Sequence, residues 1–182
     1  MNWLDTILIL FGTFLAVFWE AAFPGVRRLL GAQIDLLPPL MVYAALRAGL
    51  VTVLLTAVCG GLWFDSLSAN PLGVTVLPLL ASGVAIHANR DLILRDETFA
   101  RIVMGLFAST IVPGLTLLLL LTTARQPLLG WGTIWQFLVM GVGGALATPV
   151  LFELFDWLHR LLGPVRPSES SFRPDREIRR GR

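Results

Sequence analysis

The chain has 182 residues, of which 55% are hydrophobic and 14% are charged, and its formal net charge is +2 at pH 7. Soluble domains average roughly 45–50% apolar and about 25% charged residues. The composition therefore excludes an ordinary soluble protein and indicates an integral membrane protein. Because nearly all of the length lies in apolar runs, little is left for a soluble catalytic domain.

The first apolar run extends from Thr6 to Phe23, and Pro24 and Gly25 end it. It is long enough to cross a hydrocarbon core of about 30 Å. Glu20 lies one turn from its end, and we interpret this carboxylate as exposed to interfacial water. The run is predicted to be the first of six membrane spans.

The second run, Gln33 to Leu46, is short for a span. If Asp35 caps its helix, Pro38 and Pro39 fall in the first turn, where a missing N–H matters least. We predict a short crossing, or a helix shielded by its neighbours. The third span is predicted from Leu50 to Phe64.

A polar stretch between Gly60 and Gly73 separates the third run from the fourth, which is predicted from Leu72 to Ala88. Asn70 before Pro71 predicts a helix that starts at Pro71. Asp65 sits near the carboxyl end of the third helix, where the helix dipole disfavours an acid. We therefore expect Asp65 to accept hydrogen bonds from the hairpin turn or from the start of the next helix.

A polar segment from Asn89 to Arg101 is predicted to form a short surface helix. Asp91 with Arg95, and Glu97 with Arg101, would form acid-before-base pairs one turn apart. Candidate contacts for cytoplasmic partners are Arg90, Arg95 and Arg101.

The fifth span is predicted from Ile102 to Thr122, and the sixth begins near Trp131 and Trp135, which suit a membrane interface. The sixth helix should continue past His159 to Gly163. Small residues spaced four apart on this helix would let another helix approach closely, either an internal one or a partner's: Gly141, Gly144, Ala145 and Thr148. The sequence thus divides into a six-span domain, 1–164, and a basic tail, 165–182, which we expect to be disordered and cytoplasmic.

The arginines orient the chain. With six spans and a cytoplasmic carboxyl terminus, only Arg27, Arg28 and Arg125 of the 14 basic residues lie outside, in accord with the positive-inside rule. A five-span alternative joins Gln33 to Phe64 as one helix of roughly 48 Å with Arg47 near its middle. We prefer six spans for that reason.

No motif predicts catalysis, a metal or a cofactor. Cys59 is the only cysteine, which excludes an intrachain disulfide and a cysteine zinc site. Glu153, Asp156 and His159 are spaced three apart, but each step turns away by about 60° on a helix, so we interpret them as a polar helix end. The chain is predicted not to be an enzyme.

Four short motifs resemble a known family, the rod shape-determining protein MreD. The resemblance covers about residues 30–122. Its motifs are Ile34-Asp35-Leu36-Leu37, Tyr43-Ala44-Ala45-Leu46-Arg47-Ala48-Gly49, Gly61-Leu62-Trp63-Phe64-Asp65 and Pro71-Leu72-Gly73.

The resemblance implies a multi-pass protein of the bacterial inner membrane whose six-helix fold is similar to the substrate-binding components of vitamin transporters. It implies a non-enzymatic scaffold of cell-wall elongation that binds MreC and acts with MreB filaments, RodA and a class B penicillin-binding protein. The candidate partner-binding or structural residues of the hairpin and helix start are Asp35, Gly61, Asp65, Asn70, Pro71 and Gly73.

Two other functions stay open at this point. The similar fold allows a small-molecule, vitamin-like substrate-binding subunit of a transporter, which would hold its ligand at the outer ends of the helices. A lipid enzyme embedded in the membrane is the third, although the chain offers no candidate nucleophile or metal site for it.

Overall fold

The computed structural model describes residues 3–23, 31–68, 70–90, 98–122 and 130–162, together with Gly25 and Arg28. All regular secondary structure among these residues is α-helical, as the apolar runs predicted. Their six helices, numbered here in chain order, are α1 (Trp3–Ala22), α2 (Leu37–Arg47), α3 (Leu50–Leu67), α4 (Val76–Ala88), α5 (Thr98–Thr122) and α6 (Trp131–Leu162).

Four helices, α1, α3, α5 and α6, are long and apolar enough to cross a membrane. The other two are shorter. At 1.5 Å per residue, the 11 residues of α2 span roughly 16 Å and the 13 residues of α4 roughly 20 Å, less than a hydrocarbon core of about 30 Å. The described helices therefore support a membrane protein with four full-length candidate spans.

Contacts between helix ends show how α1, α2, α4 and α6 are directed in the bundle. Glu20 near the end of α1 meets Leu36 at the start of α2, and His87 near the end of α4 meets Ala45 near the end of α2. His159 near the end of α6 meets Asp5 near the start of α1. The bundle thus has a hairpin end, which holds Glu20 and Asp65, and a terminal end, which holds Asp5 and His159.

The shortest helix lies at the centre of the bundle. Every residue of α2 from Leu37 to Leu46 is buried, and α2 contacts each of the other five helices. Tyr43 stacks on the ring of Phe155 and meets Phe152 edge-on. Because α2 is covered on all sides by protein, its length need not match the bilayer.

The small residues of α6 pack against α5 inside the bundle. A Cβ added to Gly141 would lie 2.9 Å from the Thr110 methyl group. A Cβ added to Gly105 of α5 would lie 2.8 Å from both the Gly144 carbonyl oxygen and Thr148 Cβ. Gly144, Ala145 and Thr148 are buried, so this close-packed face is an internal α5–α6 seam.

The five-span alternative is excluded, and one expectation about a helix boundary is wrong. The chain is extended at Ala48 and Gly49, between α2 and α3, which rules out one continuous helix from Gln33 to Phe64. The fourth helix begins at Val76, with Thr75 as its N-cap, and not at Pro71. The residues between Pro71 and Thr75 form turns instead.

Several predictions fall outside the described residues. They are the pairing of Asp91 with Arg95, the acidic partner Glu97 of Arg101, and the tail 165–182. Thr98 to Arg101, the end of the predicted surface helix, form the first turn of α5.

Candidate functional site

Asp65 joins α3 to the turn that leads into α4. Its side chain is only 1% exposed. One carboxylate oxygen, Oδ2, accepts from the backbone N–H groups of Gly73 at 2.8 Å and Thr75 at 3.2 Å. The other, Oδ1, accepts from the Thr75 hydroxyl at 2.5 Å. The hydrogen bonds expected of Asp65 are therefore confirmed, and they offset its placement at a helix carboxyl end.

The turn is shaped so that its donors meet that carboxylate. Gly73 has a φ of 92°, a left-handed conformation that glycine adopts without strain. The N–H of Val74 donates to the Pro71 carbonyl at 3.3 Å, which closes a turn where a helix was expected. Asp65 accepts from Gly73 and Thr75 across this turn, and α4 starts at Val76.

Gly61 lies one turn before Asp65 and lets α4 approach α3. A Cβ at this position would lie 2.9 Å from Val76 Cα and 3.0 Å from Val76 N. Those neighbours are backbone atoms, which cannot move aside alone. The structure therefore brings Gly61, Asp65 and Gly73 together, whereas Asn70 and Pro71 form the outer part of the turn.

The outer surface of this hairpin is apolar. Leu67, Leu72 and Leu77 are 56%, 71% and 60% exposed. The exposed leucines surround a turn whose backbone is fixed by a buried carboxylate. We call residues 65–77 the Asp65 hairpin.

A second carboxylate pair holds the start of α2. Asp35 is buried and accepts from the N–H of Leu37 at 2.9 Å, but the N-cap residue of α2 is Leu36, so the predicted cap at Asp35 lies one residue too early. Glu20 of α1 accepts from the N–H of Leu36 at 2.5 Å. Pro38 and Pro39 follow Leu37 and have no backbone N–H. The N–H of Leu40 donates to the Leu36 carbonyl at 3.1 Å. At this buried helix start the N–H groups of Leu36, Leu37 and Leu40 each have an acceptor.

The interpretation of Glu20 as an interfacial group is wrong. Its Oε1 bonds Leu36, and its Oε2 is buried without a partner among the described residues. The acid ties α1 to α2 because a buried N–H at a helix start requires an acceptor. Its position inside an apolar run was the available signal, since such acids are rarely idle.

Gln136 of α6 was not singled out from the sequence. Its side-chain amide bonds Gln33 twice, accepting from the backbone N–H at 3.2 Å and donating to the carbonyl at 2.9 Å. Both backbone polar groups of Gln33, in the irregular segment before α2, are thereby satisfied by one side chain of α6. One glutamine in a long helix carries no pattern that predicts such a contact.

The terminal end holds the other polar groups. His159 contacts Asp5 at 2.8 Å, and Arg47 contacts Asp156 at 3.4 Å. These four side chains and Tyr43 line a cavity of about 170 Å³. Within the described segments, no three His, Cys, Asp or Glu side chains cluster as metal ligands would.

Two of the three candidate cytoplasmic arginines, Arg90 and Arg101, are among the described residues. Arg101 of α5 lies over the ring of Phe152, 4.7 Å from its centre, where a cation–π contact forms. Arg90 follows α4 in a turn. Arg95 is outside the described residues.

Taken together, the polar groups of the hairpin end carry structure. The bonded oxygens of Asp65, Asp35 and Glu20 accept from backbone N–H groups or from a hydroxyl of the same chain. Such an arrangement fixes backbone geometry.

Glu20 offers a matched pair of substitutions. In Glu20→Gln the amide oxygen can still accept from Leu36, and an N–H₂ donor replaces the unpartnered Oε2 beside the Asp35 carboxylate. We expect its free energy of unfolding to stay within about 0.5 kcal/mol of wild type. Glu20→Ala leaves the Leu36 N–H without an acceptor and should cost about 1–3 kcal/mol. Unfolding by denaturing detergent measures both, and equal losses in the two variants would contradict the assigned bond.

Comparisons with protein-family models, with curated proteins and with solved structures found no match to this chain.

Proposed function

We propose that the protein is a non-enzymatic membrane scaffold of bacterial cell-wall elongation, of the MreD type, which binds the single-span protein MreC. The observation that carries the proposal is the Asp65 hairpin. A buried carboxylate fixes its backbone by three hydrogen bonds, while its exposed surface is leucine-rich. Rigid apolar surfaces lose little conformational entropy on association and suit partner binding.

The residues that suggested MreD also support it by their location. Asp35, Gly61, Asp65 and Gly73 lie at the hairpin end, where they fix the start of α2 and the α3–α4 turn. Short motifs that recur for structural reasons would be expected at such joints.

In this proposal the hairpin end faces the periplasm and the terminal end faces the cytoplasm of an inner-membrane protein. MreB filaments, RodA and a class B penicillin-binding protein would act at or through the terminal end. Arg90, Arg95, Arg101 and the arginine-rich tail supply positive charge on that side. Such charge is what the positive-inside rule favours for a cytoplasmic face.

Co-purification with MreC tests the hairpin surface. Leu72→Gln changes an exposed side chain and leaves the Asp65 bonds in place, so it should weaken MreC capture several-fold without changing protein stability. The control is Phe23→Gln, because Phe23 is 57% exposed at the hairpin end of α1, and it should bind MreC as wild type does.

Asp65→Ala and Gly73→Leu test the same surface through its backbone, and both should reduce MreC capture. Full capture by these variants and by Leu72→Gln would exclude the hairpin from the interface. Native mass spectrometry of the purified protein distinguishes a scaffold from a transporter subunit. A retained vitamin-like molecule, in place of a single-span protein, would favour a transporter subunit instead.

A further inference from the structure

A lateral groove lies between α4 and α5. It has a volume of about 520 Å³ and an almost wholly apolar lining. On the α4 side the lining consists of Ala81, Ser82, Ala85 and the larger Ile86, and buried Ala108 of α5 also lies in it. The space remains because three of these α4 side chains are small.

The length of the groove matches one leaflet of a bilayer. On α5 its lining runs from Met104 to Leu115, a rise of roughly 16 Å at 1.5 Å per residue. A hydrocarbon core is about 30 Å thick, so the groove extends over about half of it. A partner membrane helix would need an apolar groove along the full thickness, whereas a lipid acyl chain needs one leaflet.

The groove ends in polar groups at the terminal end of the bundle. Asn89 lines it there, and Arg90 follows directly in the turn after α4. Basic side chains at a membrane surface attract phospholipid phosphates. The apolar groove therefore matches the acyl chain of a glycerophospholipid, and the basic residue at its end matches the phosphate.

We propose that this groove binds one acyl chain of a phospholipid from the leaflet at the terminal end, with the lipid phosphate next to Arg90. The lipid would fill the space between α4 and α5 and join the short helix α4 to its neighbour. The site is independent of the scaffold function, and its occupancy does not depend on MreC.

Lipid binding to the purified full chain tests the site. The protein is delipidated in detergent and titrated with synthetic phosphatidylglycerol, and native mass spectrometry counts the lipids retained. Ala85→Trp fills the groove and should lower the fraction with one bound lipid several-fold. Leu146→Trp places the same side chain on the exposed face of α6, where Leu146 is 64% exposed, and should bind as wild type does.

Arg90→Gln separates the phosphate contact from the apolar one and lies in a turn, so it tests the site even if Ala85→Trp does not fold. It should also weaken phosphatidylglycerol binding, and inorganic phosphate alone should not compete. Binding by Arg90→Gln and Ala85→Trp equal to that of Leu146→Trp would overturn the proposal. Competition by inorganic phosphate, or displacement of a bound protein instead of a lipid, would do the same.

Discussion

Asp65→Ala should lower the free energy of unfolding by on the order of 3–5 kcal/mol, because three donors at the α3–α4 joint lose their acceptor and each buried unpaired donor costs about 1–3 kcal/mol. The donors are the N–H groups of Gly73 and Thr75 and the Thr75 hydroxyl. Unfolding in denaturing detergent, followed by circular dichroism, measures the loss.

Asp65→Asn is the matched control. Its amide oxygen can take the place of Oδ2 and accept both N–H groups, while its N–H₂ donates to the Thr75 hydroxyl, which can turn to accept. We expect less than half of the loss seen with alanine. If asparagine were as damaging as alanine, the charge of Asp65 and not its hydrogen-bond geometry would hold the joint.

Gly105→Ala should destabilise the protein by about 1–3 kcal/mol through overpacking of the α5–α6 seam. The added Cβ would lie 2.8 Å from the Gly144 carbonyl oxygen, a backbone atom, and closer still to the Thr148 hydroxyl. That hydroxyl donates to the same carbonyl at 2.7 Å. The two helices would have to separate to admit one methyl group.

Gly114→Ala on the same helix tests whether the loss arises from the close approach. The nearest atom to its added Cβ would be on Phe137 at 3.8 Å, an ordinary contact. Since alanine is favoured over glycine in a helix by roughly 0.5–1 kcal/mol, we expect this variant to unfold at the same or a higher detergent concentration than wild type. Equal losses at both positions would contradict a specific seam.

Much of the fold could be predicted from local sequence. Long apolar runs predicted α1, α3, α5 and α6, because membrane helices follow hydropathy closely. Asp65 was predicted to bond the next turn because an acid at a helix carboxyl end requires compensation. Pro38 and Pro39 were predicted to lie in the first turn of the second helix, and they lie there.

What the sequence could not provide was the pairing of distant groups. Helix α4 starts at Val76 because the Asp65 carboxylate binds Gly73 and Thr75, and a local reading of Asn70-Pro71 misses that competition. The partner of Glu20 is a backbone N–H 16 residues away, and that of Gln136 is a backbone 103 residues away. Such bonds depend on which helices become neighbours.

The position of α2 has a consequence for biogenesis. Its amino end is bonded by Glu20, in the helix made before it, and the backbone just ahead of it is bonded by Gln136 of α6, the last of the described helices. A nascent chain therefore cannot finish docking α2 until α6 has been translated and inserted. Until then, the backbone N–H and carbonyl of Gln33 lack the Gln136 side chain that pairs both of them in the finished bundle.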